Sequence, residues 1–230
     1  MGESIKRIVG PYQDSYSPNG IIGEKDACGV GFVANVEGIE SNWILKQSLK
    51  GLNCMEHRGG CGGDSDSGDG AGILCSIPWG YLEEEINLKN NQEFNRGLGM
   101  VFMPNKKEKI EICKSICDEE AEKLKVNKTS WRTVPVNNEI LGPLAKANAP
   151  FICQWILYID KKDHKDVERL LFQLRKRIEK KIRETFKNDV GDCEFYFASL
   201  SSQTVVYKGM VRSEILSEFY QDLKEESFKV

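Results

Sequence analysis

Apolar positions recur along this chain with two periods, and the longer-period stripes are the clearest. Val167, Leu170, Leu171, Leu174, Ile178, Ile182 and Phe186 fall on one face and predict an amphipathic helix over about 163–187. Cys113, Ile116, Cys117, Ala121 and Leu124 make a similar stripe and predict a helix over about 106–124. Ile44, Leu45, Leu49, Leu52 and Met55 predict a third over about 42–57, entered through Ser41 as cap and ended by Gly59. Residues 28–36, apolar on both faces, predict a strand buried between layers, and further strands are expected at 73–77 (stopped by Pro78), 97–103, 131–136 and 151–159. A helix near 80–87, two adjacent strands at 193–200 and 203–208 around Ser201-Ser202, and a last helix over 212–223 complete the series. Strands and helices in this alternating order suit stacked layers, and no internal repeat breaks the pattern.

Composition narrows the class. With 230 residues and 40% apolar content the chain can build a substantial core. Its 32 Lys and Arg are interspersed among 35 Asp and Glu for a net charge of -3, so no broad positive field recruits nucleic acid or anionic lipid. The longest apolar runs, such as 151–159, have strand length, well short of the roughly 20 residues a membrane helix needs. Residues 1–27 mix Lys6 and Arg7 with Glu3, Asp14 and Glu24, contain Pro11 and Pro18, and lack an apolar core. They read as an irregular leader, not a secretory signal.

The eight cysteines are dispersed over a chain too long to need stapling, which points to a reducing compartment and buried core thiols. Cys113 and Cys117 share a helix face, but Cys and His partners at ligand spacing are missing, so no metal site is expected. The run from Gly59 to Gly72 is rich in glycine and aspartate and invites a phosphate or calcium reading. No Gly-Lys-Ser/Thr follows it, and it enters a strand where a phosphate loop would meet a helix. Counted from Asp64, the fifth, sixth and twelfth positions of a calcium loop are Gly68, Asp69 and Cys75, which fail as ligands. The loop instead permits close backbone approach and positive φ.

Only two histidines are present. His164 opens a charged helix and reads as solvated. His57 closes the helix before the Gly-rich loop, where it could interact with the last carbonyls or form a dyad with Cys28. A second base for Cys28 is its own amine: cleavage between Ala27 and Cys28 would free an α-amino group of pKa about 7.7–8.0, close to a thiol at about 8.5. Before cleavage that nitrogen is an amide, so a chain carrying residues 1–27 is expected to be silent. From the residues alone, an ordinary buried thiol remains the stronger reading of Cys28.

Four separated segments change that weighting: Asp26-Ala27-Cys28-Gly29-Val30-Gly31-Phe32, Met55-Glu56-His57-Arg58-Gly59-Gly60-Cys61-Gly62, Ser67-Gly68-Asp69-Gly70-Ala71-Gly72-Ile73, and Thr204-Val205-Val206-Tyr207-Lys208-Gly209-Met210. In this order they resemble the N-terminal glutaminase domain of the large subunit of glutamate synthase, closest to the ferredoxin-dependent type of cyanobacteria and plastids, over nearly the whole chain. The resemblance implies an α+β fold, the four-layer αββα sandwich of N-terminal-nucleophile hydrolases, with 1–27 as propeptide and 28–230 as part of a class II glutamine amidotransferase domain. It makes Cys28 the nucleophile on the side-chain amide of glutamine, the Ala27–Cys28 bond the processing site, and Arg58 and Gly59 the residues that position the freed amine.

It further implies FMN, an iron–sulfur cluster and ferredoxin, or a nicotinamide-oxidising subunit, for a full-length parent, and none of these for this chain. The parent's remaining synthase domains would be partners, in a bacterial cytoplasm or a plastid stroma. In the family an Arg-Phe-Ser-Thr-Asn segment that holds the substrate carboxylate, and an Asn-Gly pair that supplies the oxyanion hole, follow the last helix; neither occurs before Val230. Loss of an oxyanion donor costs about 10²- to 10³-fold in rate, so the chain alone is expected to be nearly inactive. The alternatives are a non-catalytic α/β interaction module, or a class II amidotransferase serving another pathway.

Overall fold

The computed structural model describes residues 29–55, 67–68, 70–86, 94–160, 163–187 and 194–230. Its elements run α1 (Asn42–Asn53), β1 (Ala71–Ser76), α2 (Trp79–Glu85), β2 (Phe94–Met103), α3 (Lys107–Lys123), β3 (Lys128–Thr133), α4 (Pro143–Ala147), β4 (Phe151–Asp160), α5 (His164–Thr185), β5 (Tyr196–Ser201), β6 (Thr204–Gly209) and α6 (Leu216–Phe219). Short 3-10 turns span Asn138–Ile140, Ser213–Ile215 and Gln221–Lys224.

Four strands form an antiparallel sheet in the order β3-β4-β2-β5, and β1 pairs antiparallel with β6 in a separate two-stranded sheet. The mixed architecture with antiparallel sheets is α+β, as expected. Period-two alternation sorts the larger sheet's side chains. Val101 and Met103 of β2, with Cys153, Trp155, Leu157 and Ile159 of β4, face α3 and α5. Leu98, Met100, Ile152, Ile156 and Tyr158 point the other way, into a core shared with Val205 and Tyr207 of β6. Both faces of β2 and β4 are therefore buried, which is why these strands read as continuous apolar runs. Ser202-Gln203 carries the chain from β5 in one sheet to β6 in the other.

Helices α3 and α5 cover the outer face of the larger sheet. Val167, Leu171, Leu174, Ile178 and Ile182 of α5 are buried, each worth about 1.5–3 kcal/mol of apolar transfer. Asp118 of α3 accepts hydrogen bonds from Thr129 Oγ1 (2.7 Å), Trp131 Nε1 (3.1 Å) and Trp155 Nε1 (3.1 Å), and the two indoles stack at 5.3 Å. Glu168 fixes the start of α5 on the β5–β6 turn by accepting from Ser201 Oγ, Ser202 N and Ser202 Oγ.

Two expectations are corrected. Residues 29–36 form no strand, and Val30 and Phe32 are 89% and 94% exposed. Asn35 instead caps its own turn, its Oδ1 accepting from Glu37 N at 2.8 Å while Gly38 N donates to Asn35 O, and this redirects the chain before a ladder forms. The single helix expected over 212–223 is broken into three short pieces. Tyr220 bridges antiparallel to Val136, and Gln221 N donates to Pro135 O, so this backbone pairs with a neighbour where a helix would pair with itself. Boundaries shift elsewhere: α1 ends at Asn53, ahead of Gly59, and Ser41 takes the N-cap position without a side-chain cap bond. Helix α4, opened by Gly142-Pro143, carries no apolar stripe and was not expected.

Candidate active site

Cys28, Ala27, His57, Arg58 and Gly59 lie outside the described residues. What the structure describes are their flanks. Gly29, one residue past Cys28, and Met55, three before Arg58, are in contact: a Cβ built on Gly29 would lie 3.1 Å from Met55 Sδ. Both line a cleft of about 500 Å³ walled by Gly29–Val33, by Ser48, Gly51, Leu52 and Met55 of α1 and its C-terminus, and by Gly72, Ile73 and Leu74 of β1. A second cavity of about 490 Å³ shares Val33, Ser48, Ile73 and Leu74 with it and reaches Val230.

The cleft follows the outer edge of β1, which carries no strand partner among the described residues. Beside the second cavity the main chain is tied, Ser41 N donating to Val230 O (3.0 Å) and Val230 N to Ser41 O (3.4 Å). Leu74 stands 67% exposed at this edge. Of the Gly-rich loop, Gly68 packs against backbone, since a Cβ there would meet Arg212 N at 2.5 Å, and Gly70 adopts φ 133. The close approach expected of this loop is thus found at Val211–Arg212.

The remaining candidate chemistry separates. His164 is exposed, its Nδ1 3.3 Å from Ser202 Oγ. Cys113 and Cys117 are buried with Ile116 and Ala121 as the stripe predicted, and burial, with the nearby Asp118 carboxylate, pushes the Cys117 thiol well up. Burial also pushes Cys75 up to about 12 and Cys153 up to about 11, so these thiols stay protonated and unreactive at neutral pH. Among the described residues no group of three or more His, Cys, Asp and Glu could hold a metal ion. No helix among them is long and apolar enough to cross a membrane.

Sequence reading missed a buried polar cluster behind the cleft. Asp222 accepts from Arg132 Nη2 (2.8 Å) and Tyr81 OH (2.9 Å) on one oxygen, and from Arg132 Nη1 (2.9 Å) and Tyr207 OH (3.0 Å) on the other. Gln154 accepts from Arg132 Nη1 (2.9 Å) and donates to Tyr207 OH (2.9 Å), while Glu85 receives Arg132 Nη2 at 3.2 Å. Burial and the Asp222 carboxylate both raise the Tyr207 phenol well above its usual range. One signal was available: Asp222 falls seven residues after Ile215 and three after Phe219, on the apolar stripe of the segment.

Residues 28–230 match the family model described as glutamine amidotransferases class-II, and the chain belongs to that family. It is 43% identical over 223 residues to "Ferredoxin-dependent glutamate synthase, chloroplastic" of Oryza sativa subsp. japonica, covering 95% of this chain and 14% of that protein. It is 42% identical over 213 residues to "Ferredoxin-dependent glutamate synthase 1, chloroplastic/mitochondrial" of Arabidopsis thaliana (91% and 13%). Against "Ferredoxin-dependent glutamate synthase 2" of Synechocystis sp. identity is 42% over 212 residues (90% and 13%). The chain therefore spans about one seventh of the length of the curated relatives it matches.

Proposed function

We propose that this chain is the glutaminase unit of a glutamate synthase, with Cys28 as its nucleophile once residues 1–27 are removed. One observation carries the reading: the flanks of Cys28 and of Arg58-Gly59 meet at the wall of the cleft, Gly29 against Met55. The family match, which begins at residue 28, supports the same boundary. We extend the observed layers, helices α3 and α5 over one sheet and that sheet over β1 and β6, to a four-layer αββα sandwich.

The chemistry follows from the freed terminus. The α-amine accepts the thiol proton as Sγ attacks the side-chain carbonyl carbon of glutamine, and the tetrahedral oxyanion collapses with loss of ammonia after the amine returns the proton to the leaving nitrogen. Water then adds to the γ-glutamyl thioester, giving glutamate and the free thiol. Arg58 and Gly59 hold the amine so that its lone pair faces the thiol. Donors to the oxyanion and to the substrate carboxylate are assigned to polypeptide beyond Val230, as are FMN, the iron–sulfur cluster, the reduction of 2-oxoglutarate with the released ammonia, and the contact with ferredoxin or a nicotinamide-oxidising subunit. A plastid or bacterial cytoplasmic location is in keeping with the relatives' names and organisms.

Intact-mass measurement on the polypeptide that carries this chain, purified from its own cells, tests the assignment. A mature protein starting at Cys28 is expected. A start at any other residue, or retention of Ala27, contradicts it.

A further inference from the structure

Asp222 has no solvent access, and every polar atom around it is supplied by a different part of the fold: α2 (Tyr81), β3 (Arg132) and β6 (Tyr207), with Gln154 of β4 closing the ring. Phe228 seals this cluster, packing on Tyr81 at 5.5 Å and on Tyr207 at 5.7 Å between ring centroids. Both walls of the cleft hang from it. Tyr207 lies opposite Ile73 in the β1–β6 ladder, so it fixes the strand whose outer edge lines the cleft. Two residues past Phe228, Val230 pairs with Ser41 at the head of α1, whose Asn42 Nδ2 donates to Glu225 O (2.9 Å) and Phe228 O (3.0 Å). Helix α1 supplies Ser48, Gly51 and Leu52 to the opposite wall.

We infer that Asp222, clamped by Arg132, Tyr81 and Tyr207, is a positioning residue that sets the spacing between α1 and β1 and hence the fit of glutamine beside Cys28. The inference rests on the reading of Cys28 as nucleophile. A fully satisfied buried polar cluster fixes one geometry for all its members, and an apolar core would tolerate sliding where this one does not. An ångström of misplacement at a reacting centre is enough to cost up to about 10²-fold in rate.

The test uses the polypeptide that carries this chain, processed at Cys28, and compares alkylation of Cys28 by iodoacetamide with alkylation by a glutamine-shaped diazoketone. Asp222→Asn is the first variant and Tyr207→Phe the second, milder one, measured where either remains folded by circular dichroism. A positioning role lowers the diazoketone rate about tenfold and raises the KM for glutamine, while the iodoacetamide rate and ammonia-dependent turnover stay near those of the parent. Arg132→Lys, which keeps the charge but loses the bidentate fork, is expected to fall between the two. A parental ratio of the two alkylation rates in Tyr207→Phe, or an equal fall in both rates, overturns the positioning role and leaves the cluster structural. The underlying reading fails separately: glutamine-dependent activity surviving in Cys28→Ala overturns it, and this inference with it.

Discussion

Gly29 lies so close to Met55 that a side chain on it would stand 3.1 Å from Met55 Sδ and 3.2 Å from Met55 Cβ. This contact joins the residue after Cys28 to the end of the helix that leads to Arg58.

Gly29→Val is expected to push the two walls apart and lower glutamine-dependent turnover by about tenfold or more. Because residues 29–34 are largely exposed, the thermal midpoint should move little. Adding Met55→Ala removes the Sδ and Cγ contacts and should restore part of the loss. Steady-state kinetics on the single and double variants checks this, and no recovery in the double variant would break the link between the contact and the turnover.

Gly68→Ala is expected to destabilise the fold by about 1–3 kcal/mol, because the added methyl meets backbone, Arg212 N at 2.5 Å and Val211 O at 2.6 Å, and backbone cannot rotate away. A urea titration reads the change as a lower midpoint at constant slope.

Removing one partner of the Arg132–Asp222 pair should cost more than removing both. Arg132→Met leaves a buried carboxylate facing Tyr81 and Tyr207 and is expected to cost about 3–5 kcal/mol, while Arg132→Met with Asp222→Leu should recover much of it. Chemical denaturation of the four corners of the cycle gives the coupling, and additive losses would mean the pair is not the centre of the cluster.

The fold's thiols predict a pH dependence. Cys75 and Cys153, raised by burial to about 12 and about 11 from an ordinary 9, remain protonated in the native state where the unfolded chain has begun to ionise. The unfolded state then binds fewer protons, so stability is fully present below about pH 9 and falls as pH rises from there towards 11–12, by up to about 1.4 kcal/mol per unit for each thiol. At pH 8, native labelling with iodoacetamide should modify exposed Cys54 and spare Cys75, Cys113, Cys117 and Cys153. Peptide mass mapping and urea midpoints at pH 8.5 and 10.5 test the two halves of this statement.

Where local pattern and burial agree, the sequence was enough. The α5 stripe and the Cys113–Ala121 face each fill one side of a layer, the doubly apolar run of β4 fills both, and the helices and strand follow. Residues 29–36 carry the same apolar signal as β4, yet exposure of Val30 and Phe32 follows from the Asn35 turn and the unpaired β1 edge, which are properties of neighbours. The 212–223 segment has helical spacing, but Pro135, Val136 and Asn137 take its backbone bonds and Arg132 takes Asp222. Asp222, on the apolar stripe of that segment, is buried with Arg132 for that reason. The candidate site was legible only through resemblance, since Cys28 has no neighbour in sequence that would distinguish a nucleophile from a core thiol. Its cleft walls, Ser48, Leu52, Met55 and Ile73, carry no chemistry a sequence could advertise.

The account's central claim is that Cys28 releases ammonia from glutamine, and Cys28→Ala in the polypeptide that carries this chain tests it most directly. Glutamate formation should be followed with glutamine and, separately, with ammonium as nitrogen donor. Loss of the glutamine-dependent rate with the ammonium-dependent rate intact is the predicted result. Equal loss of both rates, or survival of both, would contradict it.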